Sequence, residues 1–153
     1  MGALVGLIHD VFITVGLLSL MSVEIDLNVM AALLTLVGYS LNDTIIVYDR
    51  LRENLRAAPK QPLDALINRS VNQTLSRTIL TSGTTFMATL ALYLLGGGVI
   101  HDFALTMLIG VFVGTASSIY VSSAVLLALG DTEFYVHQQE RPVYEKPGEH
   151  GIV

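Results

Sequence analysis

Four blocks of mostly apolar residues, at about 3–23, 28–48, 75–95 and 103–129, dominate this chain. Each is long enough to cross a hydrocarbon core of about 30 Å as a helix, which takes about 20 residues at 1.5 Å rise. The apolar residues come as continuous runs rather than at the spacing of a half-buried face. Charged residues make up 14% of the chain, against about 25% in an ordinary soluble domain. The expected fold is therefore all-α: a polytopic membrane bundle of four transmembrane helices.

The breaks between the blocks predict how they connect. Glu24 and Asp26 separate the first pair. Gly96, Gly97 and Gly98, followed by His101 and Asp102, separate the last pair. Both connections are short, so each pair reads as an antiparallel hairpin, with Asp26 and Asp102 as N-caps of the helices that follow. Of eight Lys and Arg residues, Arg50, Arg52, Arg56, Lys60, Arg69 and Arg77 cluster between or beside the second and third blocks, and Arg141 and Lys146 sit in the tail. The short loops carry none. The positive-inside rule then assigns the segment 49–74 and both termini to the cytoplasm. Within that segment Leu63, Leu66, Ile67, Val71 and Leu75 recur at helical spacing after Pro62, which predicts a cytoplasmic amphipathic helix lying along the membrane before turning in at Arg77. The polar segment 131–153, with Pro142, Pro147 and Gly148, is expected to be a cytoplasmic, partly or wholly disordered tail. No basic region precedes the first block, so it does not read as a signal peptide, and further sequence is expected upstream.

The polar residues inside the blocks carry the chemistry. Asp43 lies roughly 10 Å inside the cytoplasmic boundary, about seven residues before Arg50. An ionised carboxylate at the bilayer centre costs ~2.5–3.5 kcal/mol on insertion scales. Burial in hydrocarbon favours the neutral acid and a nearby cation favours the carboxylate, so a group held between the two can take up and release a proton. Arg77 is the natural partner, entering the third helix from the same side, and Thr81, Thr84 and Ala88 continue its face. If the two pair, Asp43 and Arg77 should share an interior face. The competing structural reading has Arg77 snorkelling to headgroups and Asp43 packed as a neutral or paired group. Asn42, about 100° around the helix from Asp43, suits helix packing. His9 and Asp10 suit either a proton relay or a structural hydrogen-bonded pair. Gly110, Gly114 and Ser118 (with Ser122 beyond), and Gly2 with Gly6, have the four-residue spacing of close helix contacts in membranes.

Other chemistries lack their signals. There is no cysteine, no phosphate-cradling Gly-x-x-x-x-Gly-Lys-Ser/Thr run, no metal-ligand cluster and no basic nucleic-acid face. Neither an enzyme activity nor a cofactor is expected.

The order and spacing of several stretches resemble the SecF family of protein-export membrane proteins. These are His9–Val11, Glu24–Leu27, Gly38–Thr44, Tyr48–Arg56, Ser76–Thr85, Thr106–Val111 and Gly114–Tyr120. The likeness covers residues 1 to about 130. It implies a membrane domain of the RND superfamily type, in the bacterial inner membrane. The partners it implies are SecD, the SecYEG channel, preprotein, protons and the lipid bilayer. It also implies use of the proton gradient to promote preprotein export, with Asp43 and Arg77 matching the family's aspartate and arginine of proton passage. A full SecF has two further transmembrane helices and a periplasmic domain before this region. The alternative function is a non-conducting scaffold for SecD and the channel, and a third is a small-molecule efflux module.

Overall fold

The computed structural model describes residues 2–58 and 61–130. Four helices follow in order: α1 (Gly2–Leu20), α2 (Leu27–Ala57), α3 (Leu63–Leu95) and α4 (Gly98–Gly130). All four are long and apolar enough to cross a membrane. Hydrocarbon offers no partner to a free N–H or C=O, so a spanning segment satisfies its backbone within itself, as a helix does. The tail 131–153 and Lys60 lie outside the described residues, as does the side chain of Ser122.

α2 and α4 both pack against α1 and α3, whereas α1 and α3 barely meet. The interior is lined with small and hydroxylated side chains. Thr14, Ser40, Thr44, Thr74, Thr78, Ser82, Thr106, Ser117 and Ser118 are buried, while Phe12, Leu34, Leu80 and Phe112 point outward. This inverts a soluble core for a physical reason: lipid solvates Leu and Phe as well as protein does, so helices associate through close packing and hydrogen bonds instead. On α1 the buried row is Gly2, Gly6, Asp10, Thr14 and Leu18, one residue per turn.

α4 approaches its neighbours at the two glycines singled out from spacing. A Cβ on Gly110 would stand 2.6 Å from both methyls of Leu36, which is itself fully buried. At Gly114 a Cβ would meet Asp10 Oδ2 at 3.6 Å and Ser40 Cβ at 3.7 Å, ordinary contact distances. Ser118 is buried on the same side of α4. The two sites therefore differ in how tightly they constrain the packing.

The connections agree with the expected hairpins and differ in detail. Asp26 caps α2, its Oδ1 accepting the Val29 N–H at 2.8 Å. Asp102 does not cap α4, because that helix already begins at Gly98 and carries Asp102 inside it. The turn between α3 and α4 is tighter than expected because Gly97 adopts φ +73°, a conformation that glycine takes without a Cβ penalty. Asn28 Nδ2 donates to the Val99 carbonyl at 3.2 Å and ties the first turn of α2 to that of α4.

The largest difference lies in the segment 49–74. Its amphipathic stretch is helical, but it forms the first turns of a continuous α3 rather than a separate helix along the membrane surface. α2 and α3, with 31 and 33 residues, extend about 46 and 50 Å, well beyond a hydrocarbon core of about 30 Å. The excess projects as a helical hairpin. Leu63, Leu66 and Ile67 pack on Leu51 and Leu55, so α2 covers the apolar face that was expected to seek lipid. Buried Asn54 donates to Ser70 Oγ at 2.7 Å and to Gln73 Oε1 at 2.9 Å, and Arg50 Nε donates to Gln73 at 3.0 Å.

Gly110→Ala should lower stability by about 1–3 kcal/mol, the usual cost of overpacking, whereas Gly114→Ala should be nearly neutral. Thermal unfolding of the detergent-solubilised variants checks the contrast. Equal loss at both positions would contradict the packing described.

Candidate proton-binding site

Among the described residues two carboxylates are buried inside the bundle, Asp10 on α1 at 1% exposure and Asp43 on α2 at 2%. Both positions follow from helical periodicity. Asp10 falls on the one-per-turn buried row of α1. Asp43 continues the buried row Val29, Ala32, Leu36 and Ser40 of α2.

Asp10 is closely partnered. Its Oδ2 accepts a short hydrogen bond from Ser40 Oγ on α2, and His9 Nδ1 lies 3.2 Å from its Oδ1. Gly114 of α4 closes the third side. This carboxylate thus sits where α1, α2 and α4 meet. Its neighbour His9 remains half-buried and 39% exposed on its side chain.

Asp43 is less satisfied. Its Oδ2 is buried and makes no hydrogen bond among the described residues. Ser82 of α3 is buried on the inward row that faces α2 and α4. Ser82 Oγ in turn accepts from Tyr39 OH of α2 at 3.0 Å and from Thr115 Oγ1 of α4 at 2.8 Å. Ser40 and Asp43 are three residues apart on one face of α2. Hydrogen bonds join His9, Asp10 and Ser40 across α1 and α2, and Tyr39, Ser82 and Thr115 across α2, α3 and α4.

Arg77 lies elsewhere. It is exposed on this chain and makes no ion pair with Asp43 among the described residues. The two do not share the interior face expected of a pair. The inward row of α3 is Thr74, Thr78 and Ser82, and Arg77 sits one residue off it, about 100° around the helix. Thr81 and Thr84 follow Arg77 outward. Thr81 is half-buried and Thr84 exposed, and their hydroxyls donate to carbonyls of their own helix, Arg77 O at 3.0 Å and Leu80 O at 3.1 Å. Asn42 is exposed too, one turn beyond exposed Gly38.

Sequence reasoning did not single out Ser40, Tyr39, Ser82 or Thr115. A signal was present on α3, where Ser70, Thr74, Thr78 and Ser82 place a hydroxyl at every fourth residue. The charge of Arg77 drew attention to the neighbouring row.

Comparison with known proteins places this geometry in context. The family model described as protein export membrane protein SecD/SecF, C-terminal, matches residues 1–132. Protein translocase subunit SecF of Escherichia coli O157:H7 is 53% identical over 139 residues, covering 91% of this chain and 43% of that protein. The Thermus thermophilus protein translocase subunit SecDF is 55% identical over 120 residues, 78% of this chain and 16% of that protein. A crystal structure of SecDF in a super-membrane-facing form superposes with a TM-score of 0.82 at 48% identity, covering 90% of this chain and 19% of that one. The chain thus spans less than half the length of the SecF relative and a smaller share of the SecDF proteins.

Ser40→Ala removes the hydroxyl that Asp10 accepts from and should cost about 1–3 kcal/mol, the penalty of leaving a buried acceptor unpaired. Thr35→Ala, whose hydroxyl serves only the Ala31 carbonyl on an exposed face, should change stability by less than about 0.5 kcal/mol. Thermal unfolding of the two variants side by side is the check, and equal effects would argue against a role for Ser40 at Asp10.

Proposed function

The chain belongs to the SecD/SecF family of protein-export membrane proteins, and from that premise we propose that it forms the C-terminal membrane half of a SecF-type subunit. In this reading the subunit works with SecD and the SecYEG channel, and Asp43 passes protons to promote preprotein export across the bacterial inner membrane. The observation that carries the reading is Asp43 itself. A carboxylate buried about 24 Å along α2 from Leu27, with one oxygen unpartnered, is costly in a purely structural role. Such a group is suited to accept a proton, which supplies the missing partner.

The outer face of α2 and α3 supports SecD as the neighbour. Gly38, Asn42, Gly83, Thr84 and Ala88 are exposed within the spans, together with Arg77 nearer the helix junction. Lipid tails offer Asn42 and Arg77 nothing to bond. Small residues at helical spacing let another helix approach closely. A second membrane bundle carrying an acidic group fits that face better than lipid does. Arg50, Arg52, Arg56 and Arg69 at the α2–α3 junction support a cytoplasmic location for that end under the positive-inside rule. The termini of this segment are then cytoplasmic as well.

The test exchanges the corresponding segment of the Escherichia coli O157:H7 SecF for this chain and follows preprotein translocation in inverted vesicles with SecD and the channel. Asp43→Asn should abolish the gradient-dependent part while leaving assembly intact. Wild-type behaviour of Asp43→Asn would instead make the bundle a scaffold. For the interface, Thr84→Trp should reduce co-purification with SecD, and Phe12→Trp, on a lipid-facing part of α1, should not. Equal recovery of SecD with both variants would remove the outer face of α3 from the interface.

A further inference from the structure

We infer that His9 and Asp10 form a second proton-binding site, in which Nε2 of His9 takes the proton and Asp10 fixes the ring. This adds a site to the proton-passing reading and rests on that reading only for its part in export.

Neighbouring His and Asp side chains touch at two places among the described residues. His9 Nδ1 lies 3.2 Å from Asp10 Oδ1, and His101 Nδ1 lies 3.2 Å from Asp102 Oδ1. Contact between sequence neighbours is therefore not enough to make a site. At the α3–α4 end His101 and Asp102 are 43% and 45% exposed, and water competes for their bond. Asp10 is instead buried within a span. Its Oδ2 accepts a short hydrogen bond from Ser40 Oγ of α2, and a Cβ on Gly114 of α4 would stand 3.6 Å from the same oxygen. Oδ2 is thus taken, and Oδ1 is left to His9.

The protons of the pair can be counted. A carboxylate carries none and only accepts, so Ser40 donates to Oδ2, and the hydrogen in the Nδ1–Oδ1 contact belongs to His9. A neutral imidazole has a single N–H. With it at Nδ1, Nε2 is a bare lone pair that makes no hydrogen bond among the described residues. A proton arriving from outside adds to Nε2, and no other group has to change. The product is an imidazolium beside a carboxylate. If the Nδ1 hydrogen crosses to Oδ1, the product is a neutral imidazole beside an acid. Nε2 carries the new hydrogen in both forms, so the pair as a unit binds the proton.

The fold leaves that nitrogen reachable. His9 turns Nδ1 inward to Asp10 yet keeps 39% of its side chain exposed, and the part of the ring turned away from Asp10 is the Nε2 edge. Hydrocarbon offers a bare ring nitrogen no partner, and an ionisable side chain at that depth is costly unless it is used. Few charges bear on the pair. α1 has no other charged or titratable side chain. From α2 come Ser40 and, within a turn of it, Tyr39 and Asp43. α4 presents Gly114, with His101, Asp102 and Tyr120 more than a turn away, and α3 barely meets α1.

The hybrid subunit described above, in complex with SecD and the channel in lipid vesicles, allows a direct test by 15N-histidine magnetic resonance. The His9 signals are identified by their loss in His9→Gln. At alkaline pH Nε2 should give the signal of a bare nitrogen and Nδ1 that of an N–H. On acidification Nε2 should become an N–H. Asp10→Asn should let both tautomers appear at alkaline pH, because an amide donates as well as accepts. Gln at position 9 can still donate to Asp10 but cannot take up a proton. His9→Gln should therefore keep the complex yield while gradient-dependent translocation falls about tenfold, the change that one hydrogen bond to a charged group is worth. His101→Gln should leave translocation unchanged. An Nε2 that carries hydrogen at alkaline pH, or a His9 tautomer unaffected by Asp10→Asn, would overturn the inference regardless of transport. The expected nitrogen signals with wild-type translocation by His9→Gln would overturn its part in export. The same signals with wild-type translocation by Asp43→Asn would keep the site and reject proton passage as the function.

Discussion

Close approach of α4 to α1 and α2 sets the position of the polar groups around Asp10 and Ser82. At Gly110 the α4 backbone lies against Leu36, and at Gly114 it lies against Asp10 and Ser40. Without that proximity, Asp10 would face a gap between helices, and Thr115 would not reach Ser82. In water such an arrangement would compete with the burial of Leu and Phe. In hydrocarbon those side chains are already solvated, so contact between backbones and bonds between hydroxyls decide which helices meet.

The two buried carboxylates differ in a way that separates structure from chemistry. Asp10 is tied to Ser40 and His9, and it sits against Gly114. That environment holds α1 in register with α2 and α4. Asp43 has an oxygen with no partner among the described residues. Uncompensated burial of this kind is rare in native proteins and is where function concentrates. Asp43 lies within one turn of Ser40 on one face of α2, and Ser40 is the donor to Asp10, so a change at Asp43 is felt by the packing that Asp10 organises.

α3 faces two ways. Its inner row of hydroxyls meets α2 and α4, and its outer row presents Arg77, Thr84 and Ala88. Because Arg77 is one residue from Thr78, the cation and the hydroxyl ladder cannot face the same neighbour. This geometry explains why Asp43 and Arg77 form no ion pair among the described residues.

The sequence by itself determined the number of membrane spans, their hairpin connections and the cap at Asp26, because these depend on length, hydrophobicity and local hydrogen bonding. It also pointed to Asp43, since a charge inside an apolar block is conspicuous without any structure, and to Gly110 and Gly114 as packing residues. Helix ends were less legible: the stretch 49–74 looked like a loop with a surface helix, but its apolar residues had a partner in Leu51 and Leu55. Periodicity marks an apolar face and leaves open whether lipid or another helix covers it. Only the tertiary structure decided that Arg77 turns outward, that Ser40 serves Asp10, and that Tyr39 and Thr115 meet at Ser82. Those outcomes depend on rotation of each helix about its own axis, and a step of one residue changes the facing neighbour by about 100°. Contacts between helices settle that rotation, and no single helix encodes it.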